Sequence, residues 1–108
     1  MKQMYKIIRK VQAKERSVGE AKSVLDYVTK EISPAVSFVI VKNTGDWGES
    51  ITRYSRVYFV LEGTLKLKFQ DEEVALEPWD GCFIDKGTKY NFSGDCQIIV
   101  VDSPAYGS

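Results

Sequence analysis

From residue 34 to residue 103 the sequence falls into short β-rich runs, set apart at nearly even intervals by turn-forming residues. AVSFVIVK is dense in β-branched residues, and NTGDWGES after it is a cluster of turn formers holding two glycines. RVYFVLEG is apolar on both faces, the mark of a strand covered on both sides. GTLKLKFQ alternates, with Leu65, Leu67 and Phe69 facing inward and Lys66, Lys68 and Gln70 outward. Asp71 and Glu72 mark a tight turn, with VALE as the returning partner. PWDG, KGTK and SGD then punctuate the runs CFID, YNF and QIIVVD. Short strands at this spacing specify an all-β sandwich or barrel of antiparallel strands.

The chain has 108 residues, enough for one domain and too few for two ordinary ones. A single domain over 1–108 is therefore expected, with the barrel core at about 35–105 and an N-terminal arm at about 1–33. Within the arm, SVGEAKSVLDYVTKEISP supports two readings. Ser17 with Glu20 forms a possible capping box, and Val24, Leu25, Val28 and Ile32 share one helical face. The same stretch is rich in β-branched and aromatic residues, and Val24, Asp26 and Val28 alternate with Leu25, Tyr27 and Thr29 as in an edge strand. Either element would pack outside the barrel or across a dimer. KIIRKVQAKER reads as a solvated, mobile arm.

Charge excludes some partners. Fifteen basic and fifteen acidic residues give a formal net charge of zero, with no whole-molecule field to draw nucleic acid or an anionic membrane. No apolar run approaches bilayer length, and MKQMYKIIRK does not read as a secretory leader, so a cytoplasmic protein is expected. Cys82 and Cys96 lie in apolar surroundings and read as reduced, buried thiols. The acidic patch Asp71, Glu72 and Glu73 reads as a solvated hairpin tip, and Trp47 and Trp79 as caps over the core or a pocket mouth.

RVYFVLEGTLKL and LEPWDGCFIDKGTKYNF resemble the cupin family, over about residues 35–105. The resemblance implies a small jelly-roll β-barrel. VLEG matches the first turn, Pro78 and Asp80 stand near the second, Ile84 and Gly87 match the third, and SPAY is a typical exit. The family holds a divalent metal with histidines and one glutamate, and here the pattern fails. Counting back from Gly63, the Glu position is Arg56, and the first two His positions fall on Ser50 and Thr52, or on Glu49 and Ile51 if the spacing is one longer. The second-motif His position is Tyr90, the Pro of Ile-Pro-x-Gly is Asp85, and the Gly of the Gly-Asp turn is Trp79. The chain has no histidine at all. A fixed guanidinium where a cation would sit repels it, by ~4 kcal/mol per unit charge at close range and an effective dielectric of about 20. Neither a metal nor another cofactor is expected.

In the resemblance the Glu position points into the barrel, so alternation sends Arg56, Tyr58 and Val60 inward and Val57, Phe59 and Leu61 outward. An inward Arg needs a partner. One candidate is an internal carboxylate such as Glu49, Asp80 or Asp85. The other is a small anion received by Arg56 among the hydroxyls of Ser50, Thr52, Tyr58 and Tyr90. The leading expectation is a metal-free barrel that binds a small polar or anionic molecule through these residues. Two alternatives stand beside it: a metal-independent isomerase, epimerase or lyase acting on a sugar or small carboxylate with Tyr90 and Arg56 as its catalytic pair, and a filled barrel serving as an interaction module. Tyr90 would need a cation such as Arg56 to bring its pKa down from about 10 before it could act as a base. The outward apolar face predicts a homodimer.

Overall fold

The computed structural model describes residues 5–20 and 22–108. The opening residues that bear on the leader question therefore lie in part outside the described residues. A short 3-10 turn at Lys10–Gln12 precedes ten strands: β1 (Lys14–Val18), β2 (Lys22–Val28), β3 (Ser37–Asn43), β4 (Asp46–Ile51), β5 (Ser55–Gly63), β6 (Leu65–Lys68), β7 (Glu73–Leu76), β8 (Gly81–Ile84), β9 (Lys89–Ser93) and β10 (Cys96–Ser103). They form a six-stranded sheet, in the order β1-β2-β3-β10-β5-β8, and a four-stranded sheet, β4-β9-β6-β7. Every pairing is antiparallel. The architecture is the all-β jelly-roll barrel that the resemblance implied.

The two sheets share one core. Val24, Val41, Val60, Ile98 and Val100 come from the larger sheet and Leu65, Leu67, Tyr90 and Phe92 from the smaller. Val60, Leu65 and Leu67 are completely buried, each worth about 1.5–3 kcal/mol of apolar transfer. Leu65 and Leu67 face in while Lys66 and Lys68 face out, as the alternation requires. Gly63 shows how tightly the barrel turns. Its φ is +77°, and a Cβ there would strike the backbone carbonyl of Asp95, so only glycine fits.

Two expectations give way. The helical alternative for residues 17–33 is wrong: Lys14–Val18 and Lys22–Val28 pair as the β1–β2 hairpin, which extends the larger sheet through Val24↔Val41 and Leu25↔Ile40. Gly19, at φ +70°, makes the turn, and Ser17 pairs with Ser23 instead of capping a helix. Pairing with β3 lets Val24 bury its branched side chain, which outweighs the local helical periodicity. The arm is thus built into the sheet from Lys14 onward. The second correction concerns NTGDWGES, where Asp46–Ile51 is strand β4 and not turn. A register irregularity between Asp46 and Gly48, with Gly48 at φ +87°, lets a glycine-rich run pair with β9.

Candidate functional site in the barrel

Strand β5 carries Arg56, Tyr58 and Val60 toward the interior. Across the sheet, β10 places Asp102 in register with Arg56. The two form a bidentate pair: Nε donates to Oδ1 at 2.6 Å and Nη2 to Oδ2 at 3.0 Å. Their side chains are only 11% and 4% exposed. Nη1 donates to the Tyr90 hydroxyl at 2.9 Å and makes a long contact, 3.5 Å, with that of Tyr58. The two hydroxyls lie 2.7 Å apart, in hydrogen-bond contact. Arg56, Asp102, Tyr58 and Tyr90 are therefore one buried polar network linking both sheets.

The internal partner of Arg56 is Asp102, and not Glu49, Asp80 or Asp85. Asp80 and Asp85 are exposed, with Asp80 accepting the Glu77 amide, and Glu49 stands 3.6 Å from Lys89 outside the network. The signal for Asp102 was present in QIIVVDS, where Ile98, Val100 and Asp102 continue one inward-facing alternation to a charged residue. Burial, the largest single effect, opposes the Arg56 charge, but the hydrogen bonds to Asp102 and the electrostatic interactions with Tyr58, Tyr90 and Asp102 together outweigh it and hold the guanidinium above its ordinary pKa. Tyr58 is pushed well above the usual tyrosine value, first by burial and then by neighbouring Tyr90. Arg56 pulls the other way and loses. Tyr58 thus stays protonated near neutrality.

Above the network lies a cavity of about 390 Å³, in the range of small-molecule sites. Valines and Ile98 of the larger sheet face Trp47 and Phe92 across it, and Arg56, Tyr58 and Asp102 contribute its polar wall. Ser50 and Thr52 also line it. The Ser50 hydroxyl has no protein partner among the described residues, whereas Thr52 Oγ1 donates to the Tyr54 carbonyl at 2.8 Å and accepts the Tyr54 amide at 3.1 Å. Tyr90, only 1% exposed, is joined to the network but is not part of the cavity wall. The structure therefore gathers Arg56, Tyr58 and Tyr90 by hydrogen bonding, sets Ser50 and Thr52 on the cavity wall, and adds Asp102.

The donor set does not fit a divalent ion. The position that would supply a carboxylate supplies a guanidinium, whose only charge partner among the described residues is the carboxylate already bound to it. Among the described residues, no group of three or more His, Cys, Asp or Glu side chains is placed to hold a metal. Cys82 and Cys96 are free, and burial raises both thiols above their ordinary pKa. Trp47 packs on Phe92 and lines the cavity, while Trp79 lies outside on Phe59, 79% exposed.

Two sheets wrapped about a cavity, with the retained turns at Gly63 and Gly87, define a small single-chain cupin fold. Solved structures agree. KdgF from Halomonas superposes with a TM-score of 0.80 at 15% identity, covering 96% of this chain and 97% of its own. The nucleoside dehydratase Pac13 superposes with a TM-score of 0.78 at 17% identity, over 97% of this chain and 86% of that one. Streptomyces Pac13 has also been solved with uridine. The Clostridium difficile EutQ protein is 26% identical, with a TM-score of 0.70 over 79% of this chain, which spans 65% of the length of that protein. No family model and no curated protein matches the sequence. Among the described residues, no helix is long and apolar enough to cross a membrane.

Proposed function

We propose that this chain binds a small polar or acidic molecule in its barrel cavity without a metal ion. The observation that carries the reading is the cavity itself: about 390 Å³, the size of a small-molecule site, with polar and charged groups making up at least as much of its wall as apolar ones. Arg56 supports it differently from the sequence expectation. Its charge is met by Asp102, so it offers a polar, near-neutral floor and not a bare cation. Tyr58 and Ser50 contribute hydroxyls at the wall. An open cavity counts against the filled barrel. Catalysis by Arg56 with Tyr90 has less support, because Tyr90 is buried and does not line this cavity and Tyr58 is held protonated. That Pac13 is a dehydratase keeps turnover within the reach of the fold, but the activity does not transfer at this identity.

The test is a thermal-shift screen of sugars, nucleosides and small organic acids, repeated on a variant with the cavity filled, Val41→Phe. Stabilisation of the wild type that disappears in the variant is the expected result. No stabilisation by any class would remove the reading.

The chain is also proposed to work as a homodimer. The outer face of β5 and β8 carries Val57 at 39% and Phe83 at 61% exposure, opposite one another in register, with Phe59 and Trp79 beside them. A patch of this kind marks a protein–protein surface.

A further inference from the structure

Four basic side chains line the cavity, Arg16, Lys22, Arg53 and Arg56, against two acidic ones, Glu49 and Asp102. Two of the four are neutralised locally: Arg56 by Asp102, and Arg16 by Asp26 at 2.8 Å. Arg53 is exposed at the mouth. Lys22 differs from all of these. It opens β2, in register with the buried Asn43, and is itself half-buried. Its ammonium sits over the Trp47 ring at 4.8 Å and near the Phe92 ring at 5.5 Å from their centroids. Among the described residues it has no carboxylate within ion-pair distance, and its three N–H donors find no acceptor.

Aromatic faces compensate a cation only in part and accept none of its hydrogen bonds directly. Burial, Arg56 and Arg16 all act against the Lys22 charge, in that order. A second charge of the right sign within the cavity would relieve all three. From these positions we infer that Lys22 is the anchor for a carboxylate on the bound molecule, and that the ligand is a small organic acid with a flat body. The body fits between Val24, Val41 and Ile98 on one side and the Trp47 and Phe92 rings on the other, with any hydroxyl directed toward Tyr58. A half-buried cation flanked by aromatic rings is poorly screened by salt, so its preference for an acid over the matching neutral amide is large.

The inference rests on the proposed binding cavity, and the experiment separates the two. Benzoate and cinnamate, with benzamide and cinnamamide as their neutral counterparts, are titrated into the whole chain by ligand-observed NMR. The wild type is expected to bind the acids at least about tenfold more tightly than the amides. Lys22→Met and Lys22→Gln are expected to bring the ratio close to one while amide binding persists, and Arg53→Met to change it less than about twofold, since an exposed charge is screened. Retained amide binding also shows that the variants are folded. Equal binding of acid and amide by the wild type overturns the role of Lys22 and leaves the cavity reading standing. A ratio that survives in Lys22→Met, or collapses in Arg53→Met, does the same. If none of the four probes binds the wild type, the inference of a flat organic acid falls, and the cavity reading stands or falls on the wider thermal-shift screen.

Discussion

Replacing Asp102 with asparagine keeps the shape of the side chain and removes the charge that Arg56 meets at 2.6 and 3.0 Å. The guanidinium cannot shed its proton and sits at 11% exposure, so it would be left as an unpaired buried cation. Breaking one side of a buried pair costs about 3–5 kcal/mol, a large part of the 5–15 kcal/mol that holds a domain together. For a domain near this size that loss lowers the melting temperature by roughly 12–20 °C, taking about 4 °C per kcal/mol. The matching double variant, Arg56→Met with Asp102→Leu, removes both charges. It leaves the Tyr58 and Tyr90 hydroxyls their 2.7 Å contact and deprives them of a donor, a net loss of about 0.5–1.5 kcal/mol. The double variant is expected within ~2 kcal/mol of wild type. Urea unfolding of wild type, Arg56→Met, Asp102→Leu and the double variant then closes a double-mutant cycle, with unchanged denaturant slopes as the check on two-state behaviour. A coupling energy of at least ~3 kcal/mol is expected. Coupling below ~1 kcal/mol, the scale of a surface ion pair, would refute the claim that this pair is a buried structural element.

Tyr58→Phe should cost about 1 kcal/mol near neutrality, for one lost hydrogen bond, and should also flatten the alkaline limb of stability. The sign follows from the raised Tyr58 pKa: above about pH 10 the unfolded chain releases this proton while the folded chain keeps it, so wild-type stability falls with pH and that share of the fall vanishes in the variant. Chemical denaturation at pH 7 and pH 10.5 measures both, and an equal alkaline loss in the two proteins would contradict the assignment. Trp79 has a left-handed backbone, φ +75°, at the position where the family pattern keeps glycine. Trp79→Gly should therefore be more stable than Trp79→Ala by about 1 kcal/mol, since both lose the Phe59 ring contact and only alanine keeps the strain. Equal melting temperatures would argue against a strained turn. Sedimentation at micromolar concentration should give a dimer for wild type and a monomer for Val57→Lys with Phe83→Lys, and a monomeric wild type would remove the dimer from the account.

The fold was legible because two signals are local. Alternation in GTLKLKFQ fixes which side chains face the core before any partner strand is known, and the two-faced run RVYFVLEG marks a covered strand whose inward face came from the resemblance. Turn residues such as Gly63 declare themselves by the conformation they alone adopt. The failures lie where a strand is decided by its partner. β4 is disguised by Gly48, and β2 by a helical periodicity that matters less than its register with β3. The site was half legible for the same reason. Counting from Gly63 located Arg56, but its partner depends on how β10 pairs with β5, which places a residue far along the chain beside it. Lys22 was hidden in the segment that read equally as helix or edge strand. Its position matters only because Trp47 and Phe92, from the other sheet, close over it.

The central claim is that a self-neutralised Arg56–Asp102 pair has taken over the metal position and left the cavity to an organic guest. Melting curves of chelator-treated protein, run in parallel with divalent transition metals and with small organic acids, test it most directly. The account predicts that at least one organic acid raises the melting temperature while every metal leaves it unchanged. A marked rise with a divalent metal, lost on substitution of barrel-lining residues and accompanied by no response to organic molecules, would contradict it.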